Sequence, residues 1–197
     1  MSKYDKVIEF VNQQYMMITS KNFLDNNISY YYINKLLKDD YIIESSKGIY
    51  YKSDGFEDEF YALQKRYKKA IFSYNIALYF MDKTEIIPSS LDITVPYGYH
   101  INIKDPLIRV HYCNKDIYDL GIITIKTPFG NEVKCYNLER TICDIVKKDS
   151  RTDIDIEQRN KILRYNIGKT TDWRLLDEYS KKLKIEKKLD RLTEVLY

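Results

Sequence analysis

The chain has 197 residues, of which 44% are hydrophobic, and a formal net charge of +3. This length accommodates one large domain or two small ones, and the apolar fraction excludes wholesale disorder. The apolar runs are far shorter than the roughly 20 residues of a membrane span, and the N-terminal residues lack the apolar segment of a secretory signal. We therefore expect a cytoplasmic protein with no membrane partner.

The sequence has few candidate ligands for a metal or a cofactor. Its three cysteines are Cys113, Cys135 and Cys143, and their spacing contains no CxxC pair. The two histidines also lack metal-site spacing, and no P-loop, HExxH, GxSxG or dinucleotide-binding motif is present. These patterns predict free, buried thiols, no metal site and no cofactor.

The first 52 residues predict three helices followed by a β-hairpin. Apolar residues at three- and four-residue spacing indicate a helix over 3–17 and a short second helix capped by Thr19 or Ser20. A third helix is predicted over 29–38, and two β-rich runs around a glycine-containing turn predict a hairpin over 41–51. This order of elements is that of a winged helix-turn-helix.

The third helix is the candidate recognition helix, because a helix fits the major groove and its N-terminal residues reach base edges. Asn34 can pair bidentately with adenine, Lys35 can reach guanine or a phosphate, and Lys47 at the tip of the wing suits a phosphate. A basic tract at 65–69 (KRYKK) offers further phosphate contacts. The candidate DNA-binding residues are Ser29, Tyr30, Tyr31, Asn34, Lys35, Lys38, Lys47, Lys65, Arg66 and Lys68.

The charge of this region leaves other interpretations open. Residues 1–52 contain seven lysines and six acidic residues, a net charge of +1, which is low for a lone DNA-binding domain. One alternative is a small helical bundle whose polar face meets only solvent, and another is a winged fold used for protein contacts. The tract at 65–69 is equally compatible with the solvated end of a helix.

The remainder of the chain predicts a connecting helix over 53–69 and a mixed α/β domain over 70–197 that ends in a helical tail. With the winged helix over 1–52, the fold class is α+β, and we expect the N-terminal and C-terminal domains to separate at about residue 70. The predicted elements are helices at 57–69, 74–81 and 138–147, strands at 91–95, 107–112, 121–127 and 132–136, and only helices from about 157 onward.

An enzyme is the main alternative. Glu132 and Lys134, with Asp119 or Asp92 upstream, loosely resemble the Asp…Glu-x-Lys set of metal-dependent nucleases, which place carboxylates on magnesium and a lysine beside the phosphate. Glu-x-Lys is a weak signal in a chain of which 31% is charged. The charged run 139–144 (ERTICD) instead predicts structural pairing at helical spacing.

Several stretches together resemble the AbiEi-family antitoxins of type IV toxin–antitoxin systems. The similarity covers roughly residues 3–147, and the recognition helix is richer in tyrosine than the family pattern. The matching stretches are 27–29 (NIS), Ile33, 36–37 (LL), 47–50 (KGIY), 70–73 (AIFS), 77–78 (AL), 92–96 (DITVP) and 139–144 (ERTICD).

The resemblance implies a non-enzyme with two activities in abortive phage defence. The N-terminal domain would bind inverted repeats in its own promoter and repress the operon. The C-terminal domain would counter a nucleotidyltransferase-like toxin without requiring a stable complex. The implied partners are thus double-stranded operator DNA and the cognate toxin.

Overall fold

The computed structural model describes residues 2–14, 17–147, 156–168 and 171–196. This part of the chain is an α+β structure with ten helices and two sheets. It divides into two compact units: unit 1 is Met1–Lys68 with Lys126–Val133, and unit 2 is Lys69–Ile125 with Lys134–Tyr197. Within the described ranges, no helix is both long and apolar enough to cross a membrane.

Unit 1 contains four helices and a small antiparallel sheet whose strand order is β1-β3-β2. The helix α4 and the segment 126–133 both belong to unit 1, although 53–69 was predicted as a connecting helix and 126–133 as part of the C-terminal domain. The elements are α1 (Lys3–Asn12), β1 (Ile18–Thr19), α2 (Ser20–Asp25), α3 (Tyr30–Lys38), β2 (Ile42–Ser46), β3 (Ile49–Lys52) and α4 (Glu59–Arg66).

The core of unit 1 forms because each helix presents one apolar face. Val11, Phe23, Ile33 and Leu36 are almost completely buried in one cluster that also takes in β1, β2 and β3. Burying each such side chain contributes about 1.5–3 kcal/mol. A smaller cluster joins Met17 and the strand β3 to α4.

The predicted helix over 3–17 is wrong beyond residue 12. The helix α1 ends at Asn12 with Gln13 as its C-cap, and residues 15–16 lie outside the described residues. Ile18 then pairs with Tyr50 in the sheet, so the buried Met17 precedes a strand and packs beside Ile49. Met17 is therefore buried by packing against the sheet. Its distance in sequence from the apolar residues of α1 happens to match the spacing of a helical face.

A five-stranded mixed sheet has the order β6-β5-β4-β8-β7, and all of it except Lys126 of β7 and residues 132–133 of β8 belongs to unit 2. The strands β5 and β6 are parallel, as are β4 and β8, whereas β4 and β5 are antiparallel. The sequence analysis did not predict β4 or α6. The elements are β4 (Ile71–Phe72), α5 (Tyr74–Phe80), β5 (Leu91–Pro96), β6 (Ile108–Cys113), α6 (Lys115–Tyr118), β7 (Ile122–Lys126) and β8 (Glu132–Tyr136).

Four further helices complete unit 2: α7 (Leu138–Lys147), α8 (Ile156–Asn166), α9 (Trp173–Leu183) and α10 (Glu186–Leu196). The apolar core is built around α7, which packs against α5, α8, α9 and α10. Asp172 is the N-cap of α9, and its side chain accepts hydrogen bonds from two backbone amides of the first turn. The prediction of helices alone after about residue 157 is confirmed for the described residues.

The predicted structural pairing in 139–144 is confirmed. The buried Arg140 guanidinium donates from Nε to both oxygens of Asp144 at 3.1 and 3.0 Å. Its Nη1 donates to the carbonyls of Ile117 and Leu120, and its guanidinium carbon lies 4.2 Å from the centre of the Tyr136 ring. Arg140 therefore joins the turn after α6 to α7.

Candidate nucleic-acid interface

The candidate interface is built on α3, which is held by its apolar side. A tight turn connects it to α2, with Asn27 in the left-handed region at φ 58°. Ile33 and Leu36 are 1% and 0% exposed and anchor the helix in the core of unit 1. This anchoring fixes which side of α3 faces solvent.

The opposite side of α3 is exposed and carries polar and aromatic groups. Tyr30 and Tyr31 in its first turn are 55% and 68% exposed, and Asn34 and Lys38 are also exposed. Tyr31, Asn34 and Lys38 are spaced by three and four residues, so they share one face. Ser29 occupies the N-cap position, but its side chain makes no capping hydrogen bond.

Lys35 lies apart from this exposed face and is partly buried. Its Nζ atom is 3.9 Å from the centre of the Tyr4 ring, a cation–π distance. The Tyr4 hydroxyl donates to Asp39 at 2.5 Å, and burial together with this bond raises the pKa of Tyr4 to about 12. Lys35 therefore stabilises the packing of α1 on α3, and a base contact would require it to leave the ring.

The β2–β3 hairpin presents Lys47 at its turn, where the side chain is exposed. Gly48 follows with φ 76°, a conformation that favours glycine, and its amide donates to the Glu44 carboxylate at 2.8 Å. The Gly48 carbonyl accepts from the amide of Ser20 at 2.8 Å. These bonds tie the hairpin turn to the start of α2 and hold Lys47 in place.

The basic tract occupies the last turn of α4 and the residues that follow it. Lys65, Arg66 and Lys68 are all exposed. The Lys65 Nζ lies 4.8 Å from the Tyr61 ring centre, and the Arg66 guanidinium lies 5.4 Å from that of Tyr67. Cations in the last turn also interact favourably with the helix dipole, so this tract has structural as well as electrostatic value.

All ten predicted DNA-binding residues therefore belong to unit 1, and nine of them are exposed. No protein-family model matches this chain. A search of curated proteins likewise finds no significant match.

The residues of the nuclease alternative are dispersed over several elements. Glu132 and Lys134 are exposed at alternate positions of β8, and Asp119 is the C-cap of α6. Asp92 is buried in β5, where its carboxylate is already hydrogen-bonded. In the ranges that the structure describes, no group of three histidine, cysteine or acidic side chains is placed to hold a metal ion.

Asp92 forms a buried pair with His111 that was not predicted from the sequence. Its Oδ1 lies 2.7 Å from Nε2 of His111, and the centre of the His111 ring lies 4.3 Å from that of the Tyr74 ring, with the two rings tilted by 41°. Asp92 and His111 are each 2% exposed, and Tyr74 is 7% exposed. A pair so completely buried is placed to hold β5 to β6, and it offers no open face to a substrate.

The cysteines are unlinked, and two of them are fully buried. Burial raises the pKa of both the Cys135 and the Cys143 thiol to about 12. Burial is also the main reason that the pKa of Cys113 is raised. The thiolate is the nucleophilic form, so these side chains have the environment of structural cysteines.

Proposed function

We propose that this protein is a DNA-binding repressor whose unit 1 is a winged helix-turn-helix. The observation that carries the proposal is the two-sided character of α3, with Ile33 and Leu36 buried and an aromatic and polar face exposed. The helix is preceded by α2 across a tight turn and followed by the β2–β3 hairpin. In this interpretation α3 is the recognition helix and the hairpin is the wing.

The chemistry of the exposed face favours DNA over other partners. A recognition helix uses its N-terminal half for base edges, where Tyr31 and Asn34 lie, and Asn34 has the amide that pairs bidentately with adenine. The Ser29 hydroxyl, which makes no capping bond, can donate to a phosphate near the start of the helix. Lys38 and Lys47 supply cations from the end of the helix and from the wing.

The modest net charge of the first 52 residues has a direct consequence for binding. Each phosphate contact contributes about 0.9 to the slope of log K against log salt, and non-specific binding comes almost entirely from such contacts. With two lysines on the helix and wing, and the basic end of α4 as a further source, the expected slope is shallow. Discrimination between sequences would then depend on base contacts.

The second activity is proposed from the resemblance to AbiEi-type antitoxins. We infer that the chain represses its own operon by binding inverted repeats, and that unit 2 counters a nucleotidyltransferase-like toxin. Co-expression with the product of a neighbouring nucleotidyltransferase-like gene, from an unrelated promoter, tests this activity separately from DNA binding.

The DNA-binding proposal is tested by mobility shift with the full chain and the DNA upstream of its gene. We expect specific binding that Tyr31→Ala and Asn34→Ala weaken on that DNA more than on random DNA. An equal loss on both would mean that these side chains only position the backbone. Wild-type affinity in both variants would mean that α3 is not the recognition helix.

A further inference from the structure

Unit 2 contains an open groove that the proposed repressor function does not use. It has a volume of about 540 Å³, within the range of small-ligand sites. It is lined by Tyr97, Gly98, Tyr99, His100, Ile101, Asn102 and Tyr112. We call this the tyrosine groove.

Two tyrosines of the groove present their rings together. The rings of Tyr97 and Tyr112 are inclined by only 13°, with centres 6.1 Å apart, and the side chains are 57% and 37% exposed. The Tyr97 amide donates to the Cys113 carbonyl at 2.9 Å, which fixes the two side chains to neighbouring backbone. Exposed rings held nearly parallel in this way are suited to stacking on a planar ligand.

The groove lies where the carboxyl ends of two parallel strands meet. Tyr97 follows the last residue of β5, and Tyr112 is paired with Val95 near the end of β6. The chain between these strands, residues 97–107, contains no helix. Binding residues are often carried on loops that a rigid scaffold positions, and this loop joins two paired strands of the sheet.

The backbone of the groove also leaves room for a ligand. The Tyr99 amide donates to the Pro96 carbonyl at 3.1 Å, which closes a turn with Gly98 at φ 85°. This geometry matches a type II turn, which requires a positive φ at its third residue. A Cβ atom added at Gly98 would meet nothing within 4 Å, so the space beside this backbone is open.

The charge around the groove is suited to an anionic ligand. The Lys69 Nζ lies 5.9 Å from the centre of the Tyr99 ring, and His100 is exposed on the groove wall. The lining includes no carboxylate among the residues that the structure describes.

We propose that the tyrosine groove binds a nucleobase by stacking on Tyr97 and Tyr112, with Lys69 near the attached phosphate. The shared chemistry is a base joined to a phosphate, and its source is a free nucleotide or a single strand of nucleic acid. This inference concerns unit 2 and is independent of duplex binding by unit 1. It gives unit 2 a ligand class of its own.

The test is fluorescence anisotropy with the full chain and a labelled single strand of about eight nucleotides, a length typical of one stacking site. Tyr97→Ala and Tyr112→Ala should each weaken binding roughly 5- to 150-fold, the range that base stacking on an aromatic ring supplies. Tyr97→Phe keeps the ring and should retain affinity. Tyr165→Ala, which removes a tyrosine 48% exposed on α8, is the matched control and should have no effect.

Two further measurements separate the contribution of the base from that of the phosphate, and a free nucleotide from a single strand as the ligand. An abasic strand of equal length keeps the phosphates but has no bases. The wild-type chain should therefore bind it as weakly as the alanine variants bind the complete strand. Competition with ATP, GTP and the corresponding nucleosides shows whether a free nucleotide suffices, and Lys69→Ala should weaken nucleotides but leave nucleosides unchanged. If only the strand binds, the ligand is single-stranded nucleic acid.

Several results would overturn the inference. Equal affinity for the abasic and the complete strand would show phosphate attraction alone. Unchanged binding in Tyr97→Ala and Tyr112→Ala, with native melting temperatures, would place the ligand elsewhere. Failure of every strand and nucleotide to bind would leave the two rings as a surface packing pair.

Discussion

Asp58 is the residue whose removal should most damage unit 1. Its side chain is fully buried, and its Oδ2 accepts from the Thr127 hydroxyl at 2.6 Å and the Asn131 amide at 2.7 Å. Its Oδ1 accepts from the backbone amide of Tyr61 at 3.1 Å, which caps α4. One carboxylate therefore joins the start of α4 to the segment 126–133.

The magnitude follows from the groups that Asp58→Ala leaves behind. Thr127 and Asn131 are 4% and 3% exposed, and each unsatisfied buried donor costs about 1–3 kcal/mol. Loss of the cap adds about 0.5–2 kcal/mol. We expect the free energy of unfolding to fall by about 2.5–8 kcal/mol, a large part of the roughly 5–15 kcal/mol of a typical domain.

Urea unfolding followed by circular dichroism measures this loss. Asp54→Ala, which removes an exposed acid from the preceding turn, is the control and should change stability by less than about 0.5 kcal/mol. In a double-mutant cycle, Thr127→Val should cost less in the Asp58→Ala background than in wild type, since the pair interacts directly. A loss below about 1 kcal/mol in Asp58→Ala would refute the assignment of this carboxylate as the tie between the two segments.

The remaining predictions concern the proposed interface and unit 2. Lys38→Ala and Lys47→Ala should each reduce the salt slope of DNA binding by about one unit, measured by mobility shift over a salt series. Asn34→Ala should reduce the preference for operator over random DNA by about 1–3 kcal/mol in the same assay. Arg140→Ala should lower the free energy of unfolding by about 3–5 kcal/mol, because it leaves a buried carboxylate unpaired. Gly121→Ala should cost at least about 1–2 kcal/mol by urea unfolding, because its φ is 78° and a Cβ would lie 2.8 Å from that of Arg140.

Local patterns were sufficient to predict the helices and strands in which apolar residues recur at a regular spacing. The apolar spacing of Ile33 and Leu36 predicted the buried side of α3, and α7 and β8 have the predicted bounds of 138–147 and 132–136. Thr19 or Ser20 was predicted as the cap of the second helix, and Thr19 is the residue that forms a capping box with Asn22. These features depend on neighbours within a few residues, which the sequence displays directly.

Features that depend on distant partners were not predictable in the same way. The strands β1 and β4 have two residues each, too few to show a period, and they exist because of pairing with β3 and with β5 and β8. The Asp92–His111 pair forms across parallel strands, so nothing in the local sequence joins the two residues. The bonds from Asp58 to the segment 126–133 could not be predicted either, because 69 and 73 residues separate the partners in the sequence.

In the candidate site, too, local spacing predicted some features and distant partners determined others. Helical spacing was enough to put Tyr31, Asn34 and Lys38 on one exposed face. It could not separate Lys35 from them, because that side chain is held by Tyr4 of α1, about thirty residues earlier in the chain. The tyrosine groove was invisible in the sequence, since its rings come from the ends of two different strands.

In the proposed function, the exposed face of α3 distinguishes DNA sequences by contacting base edges. One comparison tests this most directly. The affinity of the full chain is measured for the DNA upstream of its own gene and for random DNA of equal length, at one physiological salt concentration. The proposal predicts a preference of about 10³-fold or more for the upstream DNA. It predicts that Tyr31→Ala with Asn34→Ala removes most of this preference, whereas the control Lys187→Ala on α10 keeps it. Equal affinity of the wild-type chain for both DNAs, or a preference that survives the double substitution in α3, would contradict the claim.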